Sequence, residues 1–234
     1  MTDAFDEPVG IAPRGTVLVA AGRGETIDAY QRFGKRIAAD GYKVRLLPDV
    51  TADVAASFAE AEKLLVDDGL PGPKVVVGSD AGALFALSLA RRSAPGLDAV
   101  VLAGIPVPAS AGDDLLGWDD ELDARTGCPA HRGVLSSGAA SPGALLSARI
   151  PIELIGYAGD VTIPTLGLHG DSDTISPLAS ARDSYPGRLV SITGGRHDIL
   201  NDVTHRTTAA TIILFLERLK LGADLPVIAA EVAA

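Results

Sequence analysis

Short, continuous apolar runs along the chain alternate with stretches whose apolar residues recur every three or four positions. The runs at residues 16–20, 43–47, 74–77 and 98–103 read as strands buried on both faces, because a half-exposed strand would alternate apolar with polar. Between them, Ile27, Tyr30, Phe33 and Ile37 form one helical stripe, closed by Gly41. Val54, Phe58, Ala61 and Leu65 form a second within residues 51–68, and Leu84, Phe85 and Leu87 begin a third after Gly82. Alternation of this kind predicts parallel strands joined by right-handed crossovers.

The rhythm stops at Pro106 and resumes at Pro164. Residues 106–163 hold Gly, Pro and Ser clusters, an acidic patch over 113–123, and the only Trp and the only Cys of the chain. A structureless loop of that length does not suit a compact domain, so the stretch is expected to form a small cap of short helices. A strand over 164–169, a helix near 177–185, a strand over 188–192 and a long helix ending near 221 complete the pattern. The last residues, 221–234, are expected to be a loosely packed tail. The expectation is one α/β domain over residues 1–234: a mostly parallel sheet of about six strands, helices on both faces, and a cap insertion at about 106–163.

Composition narrows the function classes. Of 234 residues, 47% are hydrophobic and 21% charged, which supplies a core and argues against disorder. The net charge of −10, with no long Lys/Arg run, sets aside a nucleic-acid or anionic-membrane binder. One cysteine, Cys128, permits no intrachain disulfide. No apolar run approaches the ~20 residues of a membrane span, and residues 1–8 lack a secretory pattern. The expected setting is cytoplasmic, with a small-molecule substrate, no cofactor and no bound metal. Cys128 and His131 sit three apart without further ligands nearby in the sequence, a weak metal signal. Nothing in the sequence fixes the oligomeric state.

Three places carry candidate chemistry. Gly78-Ser79-Asp80-Ala81-Gly82 joins an apolar strand to an apolar helix, the setting of a nucleophile elbow, G-x-S-x-G. Aligning the two glycines puts Asp80, not Ser79, at the tip; the plainer alternative is that either residue caps the helix. Asp173 follows the strand at 164–169, at the strand end where open α/β sheets bind ligands. It is able to orient a histidine or simply to make an Asx turn, and Asp171 is its rival. His197 lies in a Gly-rich loop after the last strand; His131, His169 and His205 are placed less favourably. The order elbow, acid, histidine is that of Ser…Asp/Glu…His hydrolases.

On these residues, together with Ala21-Gly22-Arg23 after the first strand, the chain resembles the α/β-hydrolase superfamily from Thr16 to about Leu221. The resemblance implies an oxyanion hole made by the backbone N–H groups of Arg23 and Ala81. It also implies that the first one or two antiparallel strands of the family are missing, since only some fifteen residues precede Thr16. An aspartate at the elbow resembles the haloalkane dehalogenase and epoxide hydrolase branches. There a carboxylate forms an alkyl ester and the histidine activates the water that hydrolyses it. The chain departs from those branches at Ala81, where Trp or Arg is frequent, and at Ala21, where His is usual. Trp118 and Tyr157 are candidate substrate contacts from the cap. Two rivals remain: a non-catalytic relative that binds a small ligand or partner, and an esterase using Ser79 through a shifted elbow.

Overall fold

In a computed structural model, described for residues 3–107, 117–156, 158–230 and 232, seven strands form one sheet. They are β1 (Asp3–Phe5), β2 (Thr16–Ala21), β3 (Lys43–Asp49), β4 (Lys74–Ser79), β5 (Ala99–Ala103), β6 (Thr165–Gly170) and β7 (Arg188–Ile192). The order is β1-β3-β2-β4-β5-β6-β7, with β1 antiparallel to β3 and every other pair parallel.

The continuous apolar runs follow from the two covered faces. Val17, Val19, Val75, Val77 and Val101 point to one face, beneath α1 (Gln31–Ala39) and α9 (His205–Leu219). Leu18, Ala20, Val76, Val100 and Leu102 point to the other, beneath α2 (Val54–Leu65) and α3 (Ala81–Arg91). Alternate residues of one strand thus enter two separate cores, and both sets must be apolar.

Where the first one or two antiparallel strands were expected to be missing, one antiparallel strand, β1, is present. Asp3, Ala4 and Phe5 pair with Leu46, Arg45 and Val44 and bring the sheet to seven strands. Three residues with one large apolar side chain are too few to stand out as a strand pattern, and the pairing is secured from outside. Phe5 packs against the core, and Arg45 and Lys43 hold Asp6.

Between β5 and β6 the described chain forms short helices: α4 (Trp118–Arg125), α5 (Pro129–Val134), α6 (Ala144–Ser147) and α7 (Ile152–Ile155). It is tied to the loop after β2. Thr26 N–H donates to Ala139 O at 2.9 Å and Ser141 N–H to Gly24 O at 2.8 Å. Past α9, residues 221–230 are mostly exposed, held where Arg218 donates to Pro226 O and Leu225 O. Among the described residues no helix is long and apolar enough to cross a membrane.

Candidate active site

Four loops that leave the carboxyl ends of β2, β4, β6 and β7 converge. Asp80 occupies the turn between β4 and α3 at φ 50, ψ −119, a conformation that costs a non-glycine residue about 1–3 kcal/mol. Its neighbours enforce it. A Cβ on Gly78 would stand 1.9 Å from Gly82 O, and one on Gly82 would stand 2.1 Å from Ala20 O. Strand and helix therefore meet at a spacing that only glycine permits. Asp80 makes no side-chain cap to α3, which removes the plain capping alternative for it. Ser79 is the last residue of β4 and buried.

His197 stands between two carboxylates. Its Nδ1 is 2.8 Å from Asp173 Oδ2 and its Nε2 is 3.3 Å from Asp80 Oδ1. Asp173 is fixed from behind: its Oδ1 accepts the N–H groups of Ile175 and Ser176, each at 2.9 Å. Asp171, the rival acid, is exposed and spends its Oδ1 on Gly194 N–H and Ser172 Oγ in the adjoining turn. His169 backs Asp173 from the other side, with Nε2 3.2 Å from Oδ2. That nitrogen donates to Ser176 O at 2.6 Å, so Nδ1 accepts from the Tyr185 hydroxyl, also at 2.6 Å.

Arg23 completes the site in a way its sequence position does not announce. Its backbone N–H donates to Asp80 Oδ2 at 3.0 Å, the donor expected from the loop after β2. Its side chain also turns inward: Nε donates to Oδ2 and Nη2 to Oδ1, both at 2.8 Å. Nη1 reaches the carbonyls of Leu145 and Ala148 in the β5–β6 connection, at 3.0 and 3.4 Å. Among the described residues, no hydrogen bond joins Ala81 N–H, the second expected donor, to Asp80; further donors to this carboxylate come from the Arg23 guanidinium.

Beneath this loop lies a second buried group. Arg125, 1% exposed, donates to Glu25 Oε1 at 2.8 Å and to Glu121 Oε1 at 3.0 Å, and stands 3.7 Å from Asp198 Oδ1. Its Nη2 also donates to Arg23 O at 3.3 Å, so a residue of the connection props the loop that holds Asp80. Glu25 Oε2 is bonded to the Tyr30 hydroxyl and Gly22 N–H.

The electrostatics follow from burial and these partners. Burial pushes the Asp80 carboxyl up, but the charge and hydrogen bonds of Arg23, then His197, hold it well below the usual range. Burial alone would lower His197, yet Asp173 and then Asp80 raise it to about 10. Asp173 is lowered, against burial, by His197 and His169. Glu25 is raised to about 8 by burial and by the charge of Asp198, with Arg125 opposing. At neutral pH His197 is an imidazolium between two carboxylates, and the site also holds an Arg23–Asp80 ion pair.

Asp80, Asp173 and His197, the residues singled out in the sequence, are thus brought into contact, and Arg23 bonds Asp80 by side chain as well as backbone. Trp118 begins α4 and packs, half-buried, against the apolar core. Tyr157 lies outside the described residues. Cys128 and His131 go separate ways, Cys128 to Arg32 and His131 to Asp198. The Arg23 side chain, Arg125 and Glu25 were missed. The only sequence signals for them are an arginine in a glycine-rich strand-end loop and a glutamate two residues on.

No protein-family model matches the sequence, and no curated protein matches it. Solved structures do. A monoacylglycerol lipase from Paleococcus ferrophilus superposes with a TM-score of 0.72 at 15% identity, over 92% of this chain and 97% of that one. A soluble variant of monoglyceride lipase from Saccharomyces cerevisiae gives 0.69 at 17%, over 92% and 90%. An enol-lactonase from Burkholderia xenovorans gives 0.60 at 16%, over 93% and 96%. Together with the sheet order and the strand–turn–helix elbow, these superpositions show that the chain has the α/β-hydrolase fold.

Proposed function

We propose that the chain is a cofactor-free hydrolase in which Asp80 is the nucleophile, His197 the acid and base, and Asp173 the acid that orients it. The substrate is a small organic electrophile: an epoxide, an alkyl halide or an activated ester. The observation that carries this reading is the strained Asp80 at the elbow tip, 3.3 Å from a histidine held at 2.8 Å by a second carboxylate. The hydrolytic activities named for the lipase and lactonase neighbours agree with it at the level of reaction class.

The two oxygens of Asp80 are inequivalent. Oδ1, facing His197, attacks carbon and gives it an electron pair while the bond to the leaving group breaks. That group departs with its electrons: an alkoxide takes the Nε2 proton of His197, whereas a halide, or the carboxylate of an ester displaced at its alkyl carbon, leaves as the anion while that proton passes to solvent. Oδ2 becomes the ester carbonyl, already seated on the N–H and Nε of Arg23. Water then gives a proton to neutral His197 and attacks the ester carbon, and the developing charge on Oδ2 is met by those two donors. Collapse breaks the bond to Oδ1 and the product alcohol takes the proton from His197; the carboxylic acid left behind, with one oxygen from water, gives its remaining proton to the now neutral His197, which restores the carboxylate and the imidazolium. The connection over 106–163 acts as the cap, with Trp118 and Tyr157 as its candidate substrate contacts.

One observation favours the non-catalytic reading. The Asp80 oxygens already accept three donors from Arg23, and a carboxylate so paired is a poorer nucleophile. Intact-protein mass spectrometry of His197→Ala, incubated with reactive alkyl halides, whose displacement needs no proton from His197, separates the two. The proposal expects a covalent adduct on Asp80 that is absent from His197→Ala/Asp80→Ala. Adduct at another residue, or none across electrophiles that bind the site, favours the ligand-binding relative.

A further inference from the structure

A cleft of about 610 Å³ lies between α1 and α5, and none of its lining residues is Asp80, Asp173, His197 or Arg23. Its volume is within the ~300–1,000 Å³ of small-molecule sites. Arg32, Lys35 and Arg36 line it from one face of α1, at the i, i+3 and i+4 spacing that places side chains together. His131 and Asn201 line it from the other side.

The charges there are unbalanced. Among the described residues, no ion pair joins Arg32, Lys35 or Arg36 to a carboxylate, although Asp28 and Asp40 also line the cleft. Arg32 instead donates to Asn201 O and Cys128 Sγ, and Lys35 sits over the Phe5 ring. Three cations without carboxylate partners at one hollow run against the −10 charge of the whole chain. Their field reaches neighbours: besides burial, Arg32 and Arg36 push His205 down.

Two polar atoms on the wall are also left over. Among the described residues, Arg36 Nε and Asn201 Oδ1 are buried without a hydrogen-bond partner, and Asn201 as a whole is 2% exposed. Native interiors leave few such groups unmatched, and clusters of them mark places where another molecule completes the set.

We propose that this cleft is a second binding site, for a small oxyanion: a phosphate monoester or a carboxylate, with a hydroxyl or amine within reach of Asn201. The guanidinium of Arg36 and the ammonium of Lys35 take the oxyanion, since Arg pairs with planar or tetrahedral oxyanions through two parallel N–H groups. The hydroxyl or amine meets the free amide oxygen. His131, held by Asp198 at 3.3 Å, closes the wall next to the residue that follows His197. The site therefore abuts the catalytic loop without sharing its groups, and it stands whether or not Asp80 reacts.

Calorimetric titration of the full chain with inorganic phosphate, glycerol phosphate and succinate tests it, with sodium chloride matched for ionic strength. The expected result is saturable one-to-one binding of at least one oxyanion, weakened tenfold or more in Lys35→Gln/Arg36→Gln. Both positions are at least partly exposed on α1, so the double variant is expected to fold, and its unfolding curve checks this. Tighter binding of the phosphate ester or of succinate identifies which oxyanion the site takes. Heats that follow ionic strength alone, or binding unchanged in the double variant, overturn the proposal. Arg23→Gln serves as the control: oxyanion binding lost there and kept in the double variant places the anion at Asp80 instead, and equally overturns it.

Discussion

Asp80 Oδ2 accepts both the backbone N–H of Arg23, at 3.0 Å, and the Nε of the same residue, at 2.8 Å, while Nη2 takes Oδ1. One residue thus supplies three of the hydrogen bonds to the carboxylate at the elbow. Both partners are nearly inaccessible, at 7% and 2% exposure. In such surroundings neither charge is tolerable alone, whereas the pair, with the Leu145 and Ala148 carbonyls on Nη1, is close to self-sufficient.

Removing one member alone should therefore be costly. Arg23→Met and Asp80→Asn are each expected to lower unfolding stability by about 3–5 kcal/mol, since each leaves a buried group without its partner. The double variant Arg23→Met/Asp80→Asn is expected to recover a large part of that loss. Urea unfolding of the four proteins gives the coupling directly. Additive losses would mean that the pair is solvated and contributes little.

The elbow glycines make a sharper case. Gly78→Ala and Gly82→Ala each drive a methyl group into backbone, 1.9 Å from Gly82 O and 2.1 Å from Ala20 O, and backbone has no rotamer by which to yield. Either change is expected to cost more than about 4 kcal/mol or to abolish soluble expression. Asp80→Gly is expected to relieve strain at φ 50 while losing the ion pair, and so to be milder than either. A soluble Gly78→Ala protein with a wild-type melting temperature would contradict the close approach.

What the sequence made legible here was local. Glycines at two positions of a strand–helix junction, an acid at the end of β6 and a histidine after β7 are all fixed within a few residues of an apolar run. Their convergence follows because parallel strands put all their carboxyl ends on one side. The two acids of the β6 loop were not separable by pattern: Asp171 and Asp173 differ only in which way the turn faces them. Arg23 was read as a backbone donor because nothing local says that its side chain folds inward; that depends on the carbonyls of Leu145 and Ala148, more than a hundred residues on. Arg125 was invisible for the same reason, since its partners Glu25 and Asp198 lie on distant loops. β1 escaped because a three-residue edge strand is specified by its neighbour β3 more than by its own sequence.

Arg125 is the residue whose loss should spread furthest. It donates to Glu25 and Glu121, stands beside Asp198 and props Arg23 O. Arg125→Met leaves three buried carboxyls facing one another. An unfolding loss of about 3–5 kcal/mol is expected. Adding Glu121→Gln is expected to restore part of it by removing one of the three charges. If Arg125→Met unfolds with wild-type stability at both pH 6 and pH 8, the cluster does not couple the connection to the site.

The pH dependence of stability has two raised groups to draw on, and both act in the same direction. Glu25 keeps its proton in the folded chain up to about 8 and loses it near 4.5 when unfolded. Over that window the folded state holds more protons, so stability falls as pH rises. His197, at about 10 folded and 6.5 unfolded, behaves alike: its contribution is full below 6.5 and is lost as pH climbs through 10. Asp80 and Asp173 are lowered, so their contributions are present above the ordinary carboxylate range and fade only in acid. Stability is therefore expected to be greatest on the acid side of neutrality and to decline steadily into alkali. Glu25→Gln is expected to flatten the lower part of that decline, between about pH 5 and 8, and leave the upper part. In Asp80→Asn one of the two carboxylates that raise His197 is gone, so its titration, followed by NMR at the ring Cε1–H, is expected to move down from about 10. In the proposed mechanism the same loss of charge accompanies ester formation on Asp80, and it would turn a histidine protonated in the resting protein into a base for the second step. A His197 titration unchanged in Asp80→Asn would remove that link, and with it the division of labour between the two steps.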